Sequence, residues 1–397
     1  MPGATSSRRV ARLSAPTPPA GTARLTAPPA RTARTPAPPA RTTRPHRQPA
    51  PAARSVPAAR SPGRPCPRPA CCPWSRPARA VRGSRKKIGF GAPVSGAWAT
   101  PENLAGFAAR AEQAGYASLW SFQRLLVPEG SAMEPVYRSV LDPYAVLAFA
   151  AACTSSIRLG TAIVNLPFVS PAYLAKQAAS LDVLSGGRHD VGLGIGWMPE
   201  EFAATGASMA RRGARTQEYV TVLRNLWTQG ISEFSGEFYS VPRSRVAPKP
   251  VQPGGPPVLL GGMARPALER IGRIADGWLT SSRTDLSRIG EGIGVIHEAA
   301  AAAGRDPAAL RIICRGVVRA GAEVQAADGG GRLLLSGSFD QIREDTAWLS
   351  ERGVTEIFYD LNWDPQVGAP DVEPAAAAAR AGELLDALAP GALPAGA

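Results

Sequence analysis

From Lys86 to Asn362 short apolar runs alternate with helical patterns, and this happens eight times. That alternation constrains the fold more than any other feature. The strand-like runs are KIGFGAP (87–93), YASLWSF (116–122), IRLGTAIVN (157–165), HDVGLGIGW (189–197), PVLLGGM (257–263), DGWLTSS (276–282), RIICRGVV (311–318) and EIFYDLN (356–362). Most read as continuous apolar runs, the pattern of parallel strands buried on both faces. Thr100-Pro101-Glu102, Asp142-Pro143, Ser170-Pro171 and Pro199 open helices, each with proline at a helix start. Leu104, Phe107, Ala108 and Ala111 then repeat on one helical face, as do Tyr219, Leu223, Leu226 and Trp227. Further helical stretches lie near 265–275, 285–303 and 339–352, and SEFSGEFYSVP (232–242) reads as a small hairpin. Eight strand–helix units close naturally into a (β/α)₈ TIM barrel, an α/β fold, with an open doubly wound sheet as the alternative. In the barrel the active site lies at the C-terminal ends of the strands.

Charge separates this body from what precedes it. Residues 1–87 hold 17 Arg, 2 Lys and 19 of the 40 prolines, with no acid. Against a formal net charge of +14 for the whole chain, the remainder is net −5. The leader repeats itself, with APPARTAR at 27–34 and APPARTTR at 37–44. It has too few large apolar residues to offset its ordering entropy and is expected to be disordered. It reads as a basic arm, an Arg-rich targeting segment, or translated upstream sequence with the true start near Val81. The expected organisation is an extension over 1–85, the barrel over 86–368, and an Ala/Pro-rich C-terminal helix and tail over 369–397. The acidic body points away from nucleic acid. The longest apolar run, Ala145–Cys153, is too short for a membrane span. Cys153 and Cys314 stand far apart in the body, which suggests a reducing cytoplasm, and CPRPACC in the leader lacks zinc-site spacing.

Two glycine clusters raise the question of a ligand. Gly192, Gly194 and Gly196 alternate along the fourth run, so they share one face of the strand. This is not a dinucleotide fingerprint, because the glycines lie inside the strand. The helix beyond begins Pro199-Glu200-Glu201, whose carboxylates would repel a phosphate. The glycines then serve close strand packing or admit a flat ligand ring over Gly196. In the second cluster, Gly261 and Gly262 precede a helix with no acid before Glu269, which suits an anion. Ser281, Ser282 and Arg283 end the next strand at the same rim. The alternative is a tight turn beside a solvated arginine. The body has only two histidines: His189 opens its strand at the opposite end, and His297 lies within a helix. There is no H-E-x-x-H pair and no G-x-S-x-G elbow, so an organic cofactor is expected to carry the chemistry.

The stretch LGTAIVNLPFVSPAYLAKQAASLDVLSGGRHDVGLGIGWMPEEFAATG (159–206), with RRGART (211–216) and VLLGGMARPALERIGRIADGW (258–278), resembles the bacterial luciferase-like monooxygenase superfamily. It is most similar to the branch that uses the deazaflavin coenzyme F420. The resemblance implies a TIM barrel whose third strand ends in a bulge with a non-prolyl cis peptide between Ala162 and Ile163, behind a flavin-type ring. It places Asn165 at the polar edge of the ring, and Gly196 and Trp197 beside it. It assigns Gly261, Gly262, Met263 and Arg283 to the phosphate region, where the strand-end reading adds Ser282. Many relatives end the second strand with Asp-His, where the histidine exchanges a proton beside the ring. Here Gln123 and Arg124 stand in its place, and neither serves as an acid or base at neutral pH. Arg124 is expected to hold an anionic edge or to form a salt bridge. Glu200 is expected to reach the ring edge or to favour the helix dipole.

The implied function is hydride transfer between coenzyme F420 and a small organic substrate. The alternative is an FMN-dependent two-component monooxygenase, which would need a flavin reductase as partner. A cofactor-free barrel or a basic-tailed nucleic-acid binder is the reading from another class. The expected partners are a small-molecule substrate and a second copy of the chain as a homodimer, with neither nucleic acid nor membrane.

Overall fold

A computed structural model describes residues 87–325 and 331–392. The expectations for the leader, with Cys66, Cys71 and Cys72, and for the last residues of the tail lie outside the described residues. The strands are β1 (Lys87–Gly91), β2 (Ser118–Ser121), β3 (Arg158–Thr161), β4 (His189–Gly194), β5 (Val258–Gly261), β6 (Gly277–Leu279), β7 (Arg311–Val317) and β8 (Glu356–Asp360). Each pairs in parallel with its neighbours, and β1 pairs with β8, so the sheet closes into the expected barrel. Beyond a bulge, β3 continues as Val164–Asn165, still paired with β4.

The helices between strands are α1 (Pro101–Gln113), α2 (Pro143–Cys153), α3 (Pro171–Ser185), α4 (Pro199–Thr205), α5 (Arg212–Thr228), α6 (Arg265–Ile274), α7 (Ile289–Ala302) and α8 (Phe339–Glu351). The cap signals act as their chemistry dictates. Thr100 Oγ1 accepts from the Asn103 amide at 3.2 Å, Asp142 Oδ1 from Tyr144 and Ala145 at 3.0 Å, and Ser170 Oγ from Tyr173 at 3.2 Å. Each satisfies first-turn amides that would otherwise lack a partner. The expected hairpin forms from Ser232–Ser235 and Ser240–Ser244. A C-terminal helix, α9 (Pro374–Ala387), closes the ring on α1, where Arg110 meets Asp386 at 2.9 Å. No described helix is long and apolar enough to cross a membrane.

The barrel interior explains several of the strand glycines. Trp120 of β2 and Phe358 of β8 stack across it, with ring centroids 5.3 Å apart and planes 23° apart. These large rings fill the axis only because glycine lies opposite them: a side chain at Gly160 would run into the Trp120 ring. A side chain at Gly192 would strike the Thr161 carbonyl of β3, and one at Gly194 would strike Ile163. Below the rings, at the N-terminal end, the barrel is sealed by charge. Arg311 bridges Asp190 at 2.9 Å and Glu356 at 3.1 Å, and Trp120 Nε1 donates to Glu356 at 3.2 Å. Burial alone would raise the Asp190 carboxyl, but hydrogen bonding from Arg158 and the charge of Arg311 hold it below its usual range.

Candidate active site at the barrel mouth

The C-terminal ends of β2, β3, β7 and β8 lock together. The peptide between Ala162 and Ile163 is cis, where the resemblance places it. The Gln123 amide donates to the Ile163 carbonyl at 3.2 Å, and Gln123 Oε1 accepts from the Asn165 amide at 2.9 Å. Gln123 therefore braces the bulge on both sides. From β7, Arg315 donates to the Ala162 carbonyl at 3.0 Å and to Asp360 at 2.8 Å, while its own amide is held by Thr280 Oγ1 at 2.8 Å. Sequence reasoning did not single out Arg315 and Asp360. A signal was present: 311, 313, 315 and 356, 358, 360 alternate inward, so their last members face the mouth.

Arg124 does not stand free for an anion. It pairs with Glu201 at 3.0 Å, with side chains 5% and 1% exposed. The Glu201 carboxylate also accepts from the Leu125 amide at 2.9 Å. The inward carboxylate of α4 is thus Glu201, while Glu200, expected at the ring edge or as a charge favouring the helix dipole, is exposed in the first turn. Trp197 is 48% exposed, with the Arg124 and Arg283 guanidinium carbons each 5.1 Å from its ring centre. Gly196 is turned away from open space. Its φ is +70°, an added Cβ would lie 2.9 Å from the Phe202 ring, and its carbonyl accepts from Arg212 at 2.5 Å. Phe202 thus occupies the direction that a side chain at Gly196 would take.

Gly261 differs. A Cβ there would make only ordinary contacts, the nearest at 3.6 Å, with Ile163 at 3.9 Å. It is a narrow cradle beside Ile163 that a side chain would fill. Gly262 packs on Ala267 of α6, and its carbonyl accepts from Trp278 Nε1 at 2.9 Å. Met263 is exposed, and Ser281 Oγ lies 3.4 Å from its sulfur. Ser282 is half-buried and Arg283 exposed, and Arg283 makes no ion pair among the described residues. The first turn of α6 has no side-chain cap; Pro266 carries no N–H and the Ala267 amide donates to the Ala264 carbonyl at 2.8 Å, so among the described residues the Arg265 amide is the first-turn donor left for an anion. Outside this rim a cleft of about 440 Å³ runs between α6 and α7, lined by Met263, Arg265, Trp278, Arg283 and Val295 among others.

Other candidates fall away from the mouth. His189 is buried at the N-terminal end, between the Leu159 carbonyl at 2.9 Å and the Tyr144 hydroxyl at 3.3 Å, and burial lowers its pKa. Burial pushes the Cys314 thiol up to about 12, which makes it unreactive. Among the described residues no group of three His, Cys, Asp or Glu is placed to hold a metal.

The sequence model of the luciferase-like monooxygenase family matches residues 81–356. An uncharacterized protein of Mycobacterium tuberculosis is 41% identical over 170 residues, 43% of this chain and 60% of that protein. The FMNH(2)-dependent dimethylsulfone monooxygenase of Pseudomonas putida is 30% identical over 177 residues, 44% of this chain and 47% of that protein. The chain thus spans at most about three-fifths of these curated relatives. The solved structure of an F420-dependent secondary alcohol dehydrogenase in complex with an F420-acetone adduct superposes with a TM-score of 0.61 at 18% identity. That match covers 74% of this chain and 99% of the other. Barrel, bulge and a match over most of the barrel agree: the chain belongs to the luciferase-like monooxygenase family.

Proposed function

We propose that the chain is an oxidoreductase that moves a hydride between a deazaflavin of the coenzyme F420 type and a small organic substrate. The observation that carries the reading is the pairing, at one barrel mouth, of an apolar floor with a cationic rim. Ile163 and the open face of Gly261 offer a surface for a planar ring, and Arg283, without an ion pair among the described residues, together with the Arg265 amide of α6 suits a phosphate. These residues fit such a cofactor. Bound there, the deazaflavin would supply a carbon centre that gives or takes hydride and does not readily activate oxygen. The protein supplies position and charge. Gln123 and Arg315 fix the floor, the Asn165 amide is held by Gln123 at its edge, and Trp197 stands 48% exposed at the mouth. Gln123 and Arg124 give no proton here, because an amide does not titrate and Arg124 is already paired with Glu201.

A second reading is supported by the resemblance to an FMNH(2)-dependent enzyme: an FMN-dependent monooxygenase served by a flavin reductase. In either reading the partner is a small molecule, and the free Cys153 and Cys314 suit a reducing cytoplasm. Titration of the full chain with coenzyme F420 and separately with FMN, followed by ligand fluorescence, separates the two. Tight deazaflavin and weak FMN binding is the expected result. Preference for FMN moves the chain to the second reading, with oxygen consumption as the next assay. Binding of neither removes both.

A further inference from the structure

The barrel mouth is electrically divided. On the β5–β6 side Arg283 is exposed and unpaired among the described residues. On the β1–β2–β8 side the guanidinium groups are already compensated. Arg124 pairs with Glu201 at 3.0 Å, and Arg315 pairs with Asp360 at 2.7 Å, with side chains 10% and 2% exposed. The surroundings of those pairs are aromatic. The Phe122 and Trp363 ring centroids lie 5.1 Å apart, and those of Tyr137 and Trp363 lie 5.7 Å apart. Arg315 stands 4.1 Å from the centre of Trp363, and Arg124 stands 4.5 Å from that of Tyr137.

This wall is held firmly. The segment 124–141 that carries Tyr137 is tied at several points. Trp363 Nε1 donates to Glu134 at 3.1 Å, the Gly96 amide to the Ser139 carbonyl at 3.0 Å, and the Leu141 amide to the Val94 carbonyl at 2.9 Å. An anion entering here would have to draw a guanidinium away from its own carboxylate, or lose its hydration with no partner. An uncharged planar molecule meets neither obstacle and gains apolar contact with the parts of Tyr137, Trp363 and Trp197 that remain exposed.

We infer that the β1–β2–β8 half of the mouth takes an uncharged organic substrate with an aromatic or conjugated face. Trp197, with the Arg124 and Arg283 guanidinium carbons each 5.1 Å from its ring centre, divides that half from the anionic end of the cofactor. The inference rests on the oxidoreductase reading for what lies across the mouth.

Calorimetric titration of the full chain with acetophenone and with benzoate tests it, because the two differ in charge more than in size. Acetophenone is expected to bind at least about ten-fold more tightly. Trp197→Ala removes an exposed ring, leaves the circular dichroism spectrum unchanged and weakens acetophenone several-fold. Glu201→Gln leaves Arg124 uncompensated and strengthens benzoate about ten-fold. Equal or tighter binding of benzoate to the unaltered chain overturns the inference, as does acetophenone binding that ignores Trp197→Ala. Absence of acetophenone binding overturns it too, and the F420 titration then decides the oxidoreductase reading separately.

Discussion

Arg315 of β7 donates to the carbonyl of Ala162, at the end of β3, across a 3.0 Å hydrogen bond. The same guanidinium is paired with Asp360 of β8, so three strands meet at one side chain. Lysine keeps the charge but cannot reproduce the planar fork. Arg315→Lys is expected to cost about 1–3 kcal/mol, read by urea denaturation. Arg315→Met leaves a buried Asp360 without its partner and is expected to cost about 3–5 kcal/mol. A loss below about 0.5 kcal/mol in both variants would show that Arg315 does not hold the floor.

The Arg124–Glu201 pair is more deeply buried. Glu201→Ala also removes the acceptor of the Leu125 amide. It is expected to destabilise the chain by about 3–5 kcal/mol. Glu200→Ala, one residue away on the exposed face, is expected to change stability by less than about 0.5 kcal/mol. Equal effects at the two positions would refute the assignment of Glu201 as the inward carboxylate.

Two glycines separate folding from binding. Gly196→Ala puts a Cβ at positive φ and into Phe202, and is expected to cost about 1–3 kcal/mol. Gly261→Ala meets only ordinary contacts, so stability should hold or rise by up to about 1 kcal/mol. Its methyl fills the cradle beside Ile163, and affinity for F420 or FMN should fall about ten-fold or more. Unchanged cofactor affinity in Gly261→Ala would move the ring elsewhere.

Arg283 should matter only for a phosphate. The unaltered chain is expected to prefer FMN over riboflavin, and Arg283→Ala should erase most of that preference. A charge-assisted hydrogen bond of about 1.5–3 kcal/mol corresponds to about ten- to hundred-fold in affinity. A preference that survives the substitution would place the phosphate elsewhere on the rim.

His189 carries a pH signature at the opposite end. Burial lowers its folded pKa below the unfolded value of about 6.5. The neutral ring's contribution is therefore complete above about pH 6.5 and is lost as pH falls toward the folded value. Stability should fall by up to about 1.4 kcal/mol per pH unit below that point. His189→Gln should flatten this slope in denaturation at pH 7.5 and 5.5. The depressed Asp190 carboxyl acts at lower pH still, below about 4, and does not blur the comparison.

The eight strands and the caps of α1, α2 and α3 were legible because each depends on local chemistry. Periodicity marks a buried strand, and a hydroxyl or carboxylate before proline marks a helix start. The bulge at Ala162 and Ile163 came from resemblance rather than from the residues alone. The strand-end rule places Gly261 and Arg283 at one rim, and the resemblance adds Met263; their role there is proposed. For Gly196 the sequence left close packing and a ligand ring open, and only the structure shows Phe202 where a side chain would stand. Glu201 was passed over for Glu200, because a one-residue step around a helix decides which carboxylate turns inward.

By itself the sequence determined the class of fold and the order of its elements, since short-range patterns encode both. Only the tertiary structure decided which charges remain free at the barrel mouth. Arg315 and Ala162 are far apart in the chain, and their contact exists only once β1 and β8 close the ring. Arg124 and Arg283 look alike in the sequence. Folding pairs one with a buried carboxylate and leaves the other exposed, because the strength of a charge at a site depends on its partners in space.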